Sequence, residues 1–274
     1  MVGALDPVKN HDPISSWFSL ESKVCIITGA SRGIGASCAR VFFHAGARLV
    51  VAARTHGDLE ALAREIDPGG SGITTVPCDV SDFDQVKQLA QVALENYGQI
   101  DILINNAGGA LPRSFLDTSP RYLEEAFHFN VASAHALNRA CVPVMLESGG
   151  GAIVNISSVM GRVSGRGYLG YGTAKAALAH YTKLAARDLA PKIRVNAIAV
   201  GSVATSALDI VMADDHMKGA MEEATPLKRI GHPDEVAIGA LYLASAAGGY
   251  ITGKVLEIDG GLEAPNLDLG LEDL

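Results

Sequence analysis

Short apolar runs and helix-length tracts alternate along this chain from residue 24 to residue 258, and that alternation leaves few folds open to it. The apolar runs fall at 24–28, 49–53, 73–77, 102–104, 152–156, 193–199 and 255–258. The first of them, VCIIT, carries no polar alternation, which marks a strand buried on both faces. Helical tracts lie between them at 36–45, 58–66, 82–97, 120–146, 171–189 and 233–245, several closed by Gly or Pro-Gly. Strands joined by helical crossovers pair in parallel, and right-handed crossovers place helices on both faces of the sheet. The expected architecture is α/β: a single-domain, doubly wound Rossmann fold with a seven-stranded parallel sheet. A barrel of eight such units is the rival, disfavoured by the strand count and by a glycine-rich turn after the first strand. No break in pattern divides the chain. The expected organisation is therefore an N-terminal extension at 1–22, one Rossmann-type domain at 23–262 and a C-terminal tail at 263–274.

Composition narrows the partners. The 274 residues suffice for a sizeable core, and 48% hydrophobic with 19% charged residues is ordinary for a soluble enzyme. A net charge of -8 without any basic block argues against nucleic acid or an anionic membrane as partner. Seven Phe and one Trp leave little for a base-stacking platform. No run approaches the roughly 18 apolar residues of a membrane span. The first twenty residues are polar and lack the apolar region of a signal peptide, so a cytoplasmic location is expected. Cys25, Cys38, Cys78 and Cys141 show no metal-site spacing and read as buried reduced thiols. The sequon at Asn155-Ile156-Ser157 lies within a strand pattern and carries no meaning in that compartment.

The turn after the first strand is TGASRGIG, residues 28–35. Gly29, Gly33 and Gly35 permit positive dihedrals and a close approach of backbone N–H groups to phosphate, and the following helix adds its N-terminal potential. A tight strand-to-helix turn without a ligand would use the same glycines, so spacing alone leaves both readings open. No Lys-Ser or Lys-Thr ends the run, which disfavours an ATPase loop. If a dinucleotide binds, Gly29, Ser31, Arg32, Gly33, Ile34 and Gly35 hold it. The second strand then ends in Ala52-Ala53-Arg54-Thr55, with no acid before Asp58. A carboxylate at that tip suits the ribose of NAD, whereas a guanidinium suits a 2′-phosphate. Arg54, with Arg32, therefore favours NADP(H); NAD remains possible if Arg54 only snorkels at the strand end.

Tyr171 and Lys175 lie four apart in a helical tract and so share one face, downstream of Ser158. A phenol near pKa 10 is a poor base at neutral pH, and a neighbouring ammonium favours its ionised form. The arrangement suggests Tyr171 as acid in carbonyl reduction and base in alcohol oxidation, Ser158 as hydrogen-bond partner of the substrate oxygen, and Lys175 as tuner of Tyr171 and grip on the nicotinamide ribose. No metal is required, because hydride passes directly between cofactor and carbonyl carbon. A serine hydrolase would need a G-x-S-x-G elbow, which Ser157 and Ser158 do not have.

Four blocks in this order resemble the short-chain dehydrogenase/reductase family across residues 20–262. They are TGASRGIG, NNAG at 105–108, Ser158 with YGTAK at 171–175, and ITGKVLEIDGG at 251–261. The resemblance implies NAD(P)-dependent redox chemistry and a homo-oligomer, commonly a tetramer and otherwise a dimer, packed through helices at about 120–146 and 171–190 and the C-terminal region. That packing would bury Ala176, Ala177 and Leu184. It also implies that Asp79 and Val80 border the adenine, that Asn106, Ala107 and Gly108 line the cofactor site, and that Asn130 is a fourth catalytic residue shaping its helix. An ordinary buried polar residue at a bend would look the same as Asn130 in the sequence. Where the family generally has Pro-Gly after the sixth strand, this chain has Val200-Gly201, followed by Ser202, Val203, Ala204 and Thr205. Gly201, Val203 and Thr205 are the expected contacts there, in a segment freed of proline.

For the substrate, residues 206–225 read as a lid with three methionines, an adaptable apolar surface. Together with Leu111, Val159, Met160, Val163 and Leu169 they favour an apolar or medium-sized carbonyl compound or its alcohol. The chain is similar to 3-oxoacyl-carrier-protein reductases and to hydroxysteroid dehydrogenases. A carrier-protein partner would want a basic patch, for which Arg113, Arg121, Arg162 and Arg166 are the candidates. A non-catalytic cofactor-binding scaffold on the same fold is the alternative function. The acidic, leucine-bearing tail either packs across a neighbouring subunit or frays.

Overall fold

The first apolar run forms a strand buried at every residue, in the middle of a seven-stranded sheet. The computed structural model describes residues 14–267, 270 and 271, so expectations for 1–13 and for the rest of the tail lie outside the described residues. In chain order the elements are α1 (Ile14–Trp17), β1 (Val24–Thr28), α2 (Gly33–His44), β2 (Arg48–Ala53), α3 (His56–Ile66), β3 (Ile73–Pro77), α4 (Phe83–Tyr97), β4 (Ile102–Asn105), α5 (Pro120–Phe127), α6 (Ser133–Glu147), β5 (Gly151–Ser158), α7 (Leu169–Leu189), β6 (Ile193–Val200), α8 (Asp209–Met212), α9 (Asp215–Ala224), α10 (Pro233–Ala244) and β7 (Val255–Ile258). Every strand pairing is parallel, in the order β3-β2-β1-β4-β5-β6-β7. The fold is the single-domain Rossmann architecture that the alternation implies.

Period-two side chains divide the core into two layers. Cys25 and Ile27 of β1 face a layer built with α2, α3 and α10; Val24 and Ile26 face one built with α4 and α6. The strand order reverses between β1 and β4, and open α/β sheets bind ligands at that switch point, beyond the carboxyl ends of the strands. All four cysteines are buried and free, and burial pushes the Cys38 and Cys141 thiols up to about 12. Among the described residues no helix is long and apolar enough to cross a membrane.

The tract at 120–146 departs from the single helix expected of it. It is α5 and α6 joined by a π-helical turn at His128–Ala132. A π turn widens the helix by one residue and leaves carbonyls to be satisfied from outside the regular ladder. Here Asn130 Nδ2 donates to Ala126 O at 2.8 Å and to Gly109 O at 2.9 Å. The lid segment is likewise more broken than a loop with one insertion: a 3-10 turn at Ser206–Leu208, then α8, then α9 capped by the Asp214 side chain.

Candidate active site

Three strand ends meet at the switch point. After β1 the chain turns at Gly29, whose φ of +64° is a conformation L side chains rarely adopt. Gly35 then passes so close beneath this turn that a Cβ would strike the Gly29 carbonyl oxygen and lie 2.6 Å from Asn106 Nδ2. That approach aims the start of α2 at the crevice, with no side chain capping its first amides. Donors so placed fit a phosphate. The Ala30 N–H bonds to Ala52 O at 3.1 Å, which holds the turn beside the tip of β2. Arg32 at the start of α2 and Arg54 after β2 are both exposed, and neither guanidinium has a hydrogen-bond partner among the described residues. Backbone amides, an uncapped helix and two cations make a chemically suitable cradle for a dinucleotide phosphate group. Asp79 is occupied locally, its Oδ1 accepting from Ser81 N at 2.9 Å, and Val80 is buried beneath it.

After β4, Asn106 donates Nδ2 to Thr28 O at 2.9 Å and to Gly29 O at 3.0 Å, tying the β4 turn to the phosphate turn. Thr28 Oγ1 accepts from the N–H groups of Asn106 and Ala107, both at 3.1 Å. Gly108 comes next. A Cβ there would stand 2.7 Å from Asn130 Oδ1 and 2.9 Å from Lys175 Nζ, so these three residues converge. Asn130 Oδ1 accepts from Gly109 N at 2.8 Å while its Nδ2 returns a bond to Gly109 O. The π turn is thereby pinned to the β4 loop.

Ser158 is the last residue of β5, and its Oγ accepts from Met160 N at 3.2 Å. A 3-10 turn at Val159–Gly161 packs directly on α7. Contact is close because Gly172 carries no side chain: a Cβ would lie 2.8 Å from Met160 O. The packing brings Ser158 beside the Tyr171 phenol, where it acts on the phenol's ionisation. Burial raises the Tyr171 pKa, Ser158 opposes that, and Tyr168 adds to the rise, so the phenol keeps its proton at neutral pH. Lys175 is 3% exposed, with Nζ 5.7 Å from the Tyr171 ring centroid and donating to Ile156 O at 2.9 Å. Burial lowers its pKa from 10.5 to about 8. Ser157, the other serine of the pair, turns away and donates to Lys175 O at 2.9 Å, bracing the helix.

Beyond β6 the expected contacts separate. Thr205 overhangs the phosphate turn, with Cγ2 3.1 Å from where a Gly33 Cβ would be. Gly201 packs on Asp259. The Val203 side chain belongs to the core and its backbone bridges Gly231. Ile34 likewise packs against the core. Of the lid methionines, Met221 is 1% exposed and serves packing rather than an adaptable surface. Of the candidate patch arginines, Arg121 pairs with Glu125, and Arg162 with Glu257, Asp259 and Glu263. Thr28, Ser157 and Gly109 complete the site without having been singled out. Thr28 and Gly109 adjoin blocks the sequence marks, but a strand hydroxyl has no spacing that announces its partner.

An acid-base pair at the carboxyl edge of a Rossmann sheet, beside a phosphate-binding turn, defines a nucleotide-dependent oxidoreductase. Residues 29–263 match the family model described as "Enoyl-(Acyl carrier protein) reductase". An "Uncharacterized oxidoreductase MT0954" of Mycobacterium tuberculosis (strain CDC 1551 / Oshkosh) is 53% identical over 262 residues, 95% of this chain and 100% of that protein. A 7α-hydroxysteroid dehydrogenase solved with NADH and 7-oxo glycochenodeoxycholic acid superposes with a TM-score of 0.86 at 35% identity, covering 90% of this chain and 96% of its own. The Pseudomonas aeruginosa RhlG/NADP active-site complex gives a TM-score of 0.85 at 31% identity, covering 90% and 98%. The chain belongs to the short-chain dehydrogenase/reductase family and is an NAD(P)-dependent oxidoreductase.

Proposed function

We propose that this protein interconverts an apolar, medium-sized ketone and its secondary alcohol, with NADP(H) as the preferred cofactor. The observation that carries the reading is the convergence of Ser158, at the end of β5, with Tyr171 and buried Lys175, whose Nζ lies 5.7 Å from the Tyr171 ring centroid, on successive turns of α7. The glycine turn with Arg32 and Arg54 would hold the dinucleotide, which when bound would supply hydride chemistry to the carbonyl carbon. Ser158 holds the carbonyl oxygen, and the Tyr171 phenol gives that oxygen its proton; in alcohol oxidation the proton returns to Tyr171. Lys175 supplies positive charge that stabilises the transient phenolate and grips the ribose. Asn130 fixes the Gly109 backbone through both ends of its amide, next to Gly108, which lies close against that ammonium. Gly29, Ser31, Gly33, Gly35, Asn106, Ala107 and Thr205 shape the cofactor cleft.

Preference for the 2′-phosphate rests on exposed Arg32 and Arg54 and on the lack of an acid at the β2 tip. The NADH-bound hydroxysteroid dehydrogenase is the observation in favour of NAD, and that relative's 7-oxo ligand supports an apolar ketone. The carboxylate pairing of Arg121 and Arg162 counts against a carrier-protein partner. A cytoplasmic homotetramer completes the proposal. Titration with NADPH and NADH, then turnover on a panel of oxo-steroids, 3-oxoacyl thioesters and secondary alcohols, tests it. Tyr171→Phe should lower kcat by about 10²–10⁴-fold while cofactor binding persists. Binding without turnover of any ketone or alcohol would instead identify a non-catalytic scaffold.

A further inference from the structure

Asn266, in the C-terminal segment, makes two side-chain hydrogen bonds that reach opposite ends of the lid. Its Oδ1 accepts from Ser202 Oγ at 3.0 Å, and its Nδ2 donates to Thr225 Oγ1 at 2.8 Å. Ser202 lies in the loop leaving β6, and Thr225 caps the C-terminus of α9. One planar amide therefore spans the entry and exit of everything between, including α8 and α9. An amide suits the position because it presents an acceptor and a donor in fixed geometry; a carboxylate lacks the donor, and an alkyl group lacks both. The buried Thr225 hydroxyl in turn donates a hydrogen bond to Met221 O at 2.8 Å, which extends the chain of bonds into the last turn of α9.

The segment bearing Asn266 is fastened in turn to the loop after Ser158. Arg162 pairs with Glu257, Asp259 and Glu263 and also donates to Leu262 O. Arg166 Nη1 donates to Leu271 O at 2.8 Å. Backbone bonds hold Ser202 and Ala204 to Gly231, and Leu227 to Gly260. None of these joins Ser202 to Thr225; Asn266 does. The tail thus folds back over its own chain across the loops that frame the site.

We infer that Asn266 is a positioning residue that sets how 206–224 lies over the site, and so governs the fit of the carbonyl substrate. The inference rests on reading 206–224 as the cover of the substrate cleft. Amide hydrogen exchange on the full chain tests it without needing turnover. Asn266→Ala should speed exchange within 206–224 by about tenfold, the scale of one or two lost neutral hydrogen bonds, with β1, β5 and β6 unchanged. Adding Asn266→Ala to a Ser202→Ala/Thr225→Val background should change nothing further, since both partners are already gone. With the best ketone from the panel, KM should rise about tenfold while kcat stays within about threefold and NADPH affinity holds. Unchanged exchange in 206–224, or protection lost across the sheet, overturns the inference. A wild-type protein that turns over no ketone sinks the proposed function instead, and leaves the exchange result standing.

Discussion

A lysine held at 3% exposure sits against its own solvation energy, and Lys175 shows the cost in a pKa lowered from 10.5 to about 8. Below pH 8 the ammonium is charged in both folded and unfolded chains, so the burial penalty is fully present. Between about 8 and 10.5 the folded protein has released the proton and the unfolded chain has not, so stability rises with pH across that window. Lys175→Met abolishes this dependence. Chemical denaturation from pH 7 to 10.5 should show wild type gaining about 3 kcal/mol on the variant; a constant difference across the range contradicts the assignment. That buried charge stands beside Tyr171 and Gly108, where the proposed chemistry would use it. At this scale much of the site was legible in the sequence. Tyr171 and Lys175 are four apart on a helix, and Gly29, Gly33 and Gly35 sit in a strand-to-helix turn, so spacing itself reports geometry. Thr28 and Ser157 were not legible: their partners lie 78 and 18 residues away, and nothing local encodes that.

Elements meet in this site through missing side chains. α7 reaches the 3-10 turn after β5 because Gly172 lets Met160 O approach to what would be 2.8 Å from a Cβ. Gly161 does the same from the other side, where a Cβ would lie 2.8 Å from Ala176 N. Glycine inside a long helix costs helix propensity, so the sequence trades stability of α7 for registry between Ser158 and Tyr171. Gly172→Val should push the helix off the turn. The expected cost is roughly 2 kcal/mol of stability by overpacking and about a hundredfold in kcat through the misplaced phenol, with NADPH binding changed little. Thermal unfolding and steady-state kinetics on the same preparation separate the two effects; full activity in a folded variant would show that the contact does not set the pair. The order of elements was readable from period and punctuation. The π turn between α5 and α6 was not, because it arises from bonds between Asn130 and Gly109, on a loop that only the tertiary fold brings near.

Among the described residues, two of the exposed apolar faces lie on long helices of the sheet's flanks. One lies on α6 and α7, where Leu146 is 45% and Leu184 53% exposed and a groove is lined by Phe127, His128, Val131, Ala132, His135 and Tyr181. The other lies on and just beyond α10, where Ile238 is 56% exposed and Tyr250 fully so. A chain with one self-complementary face closes as a dimer; two faces on different elements generate a tetramer with dihedral symmetry. Leu184→Arg places a charge in the first face only. It should therefore reduce the proposed tetramer to a dimer held by the α10 face rather than to monomers, as read by sedimentation velocity at micromolar protein. Ile238→Arg should give the complementary dimer, and the two together a monomer. Because the π turn that carries Asn130 borders the first groove, loss of that face should also lower activity, whereas loss of the α10 face should not. A wild-type monomer, or full activity in the Leu184→Arg dimer, would separate assembly from catalysis.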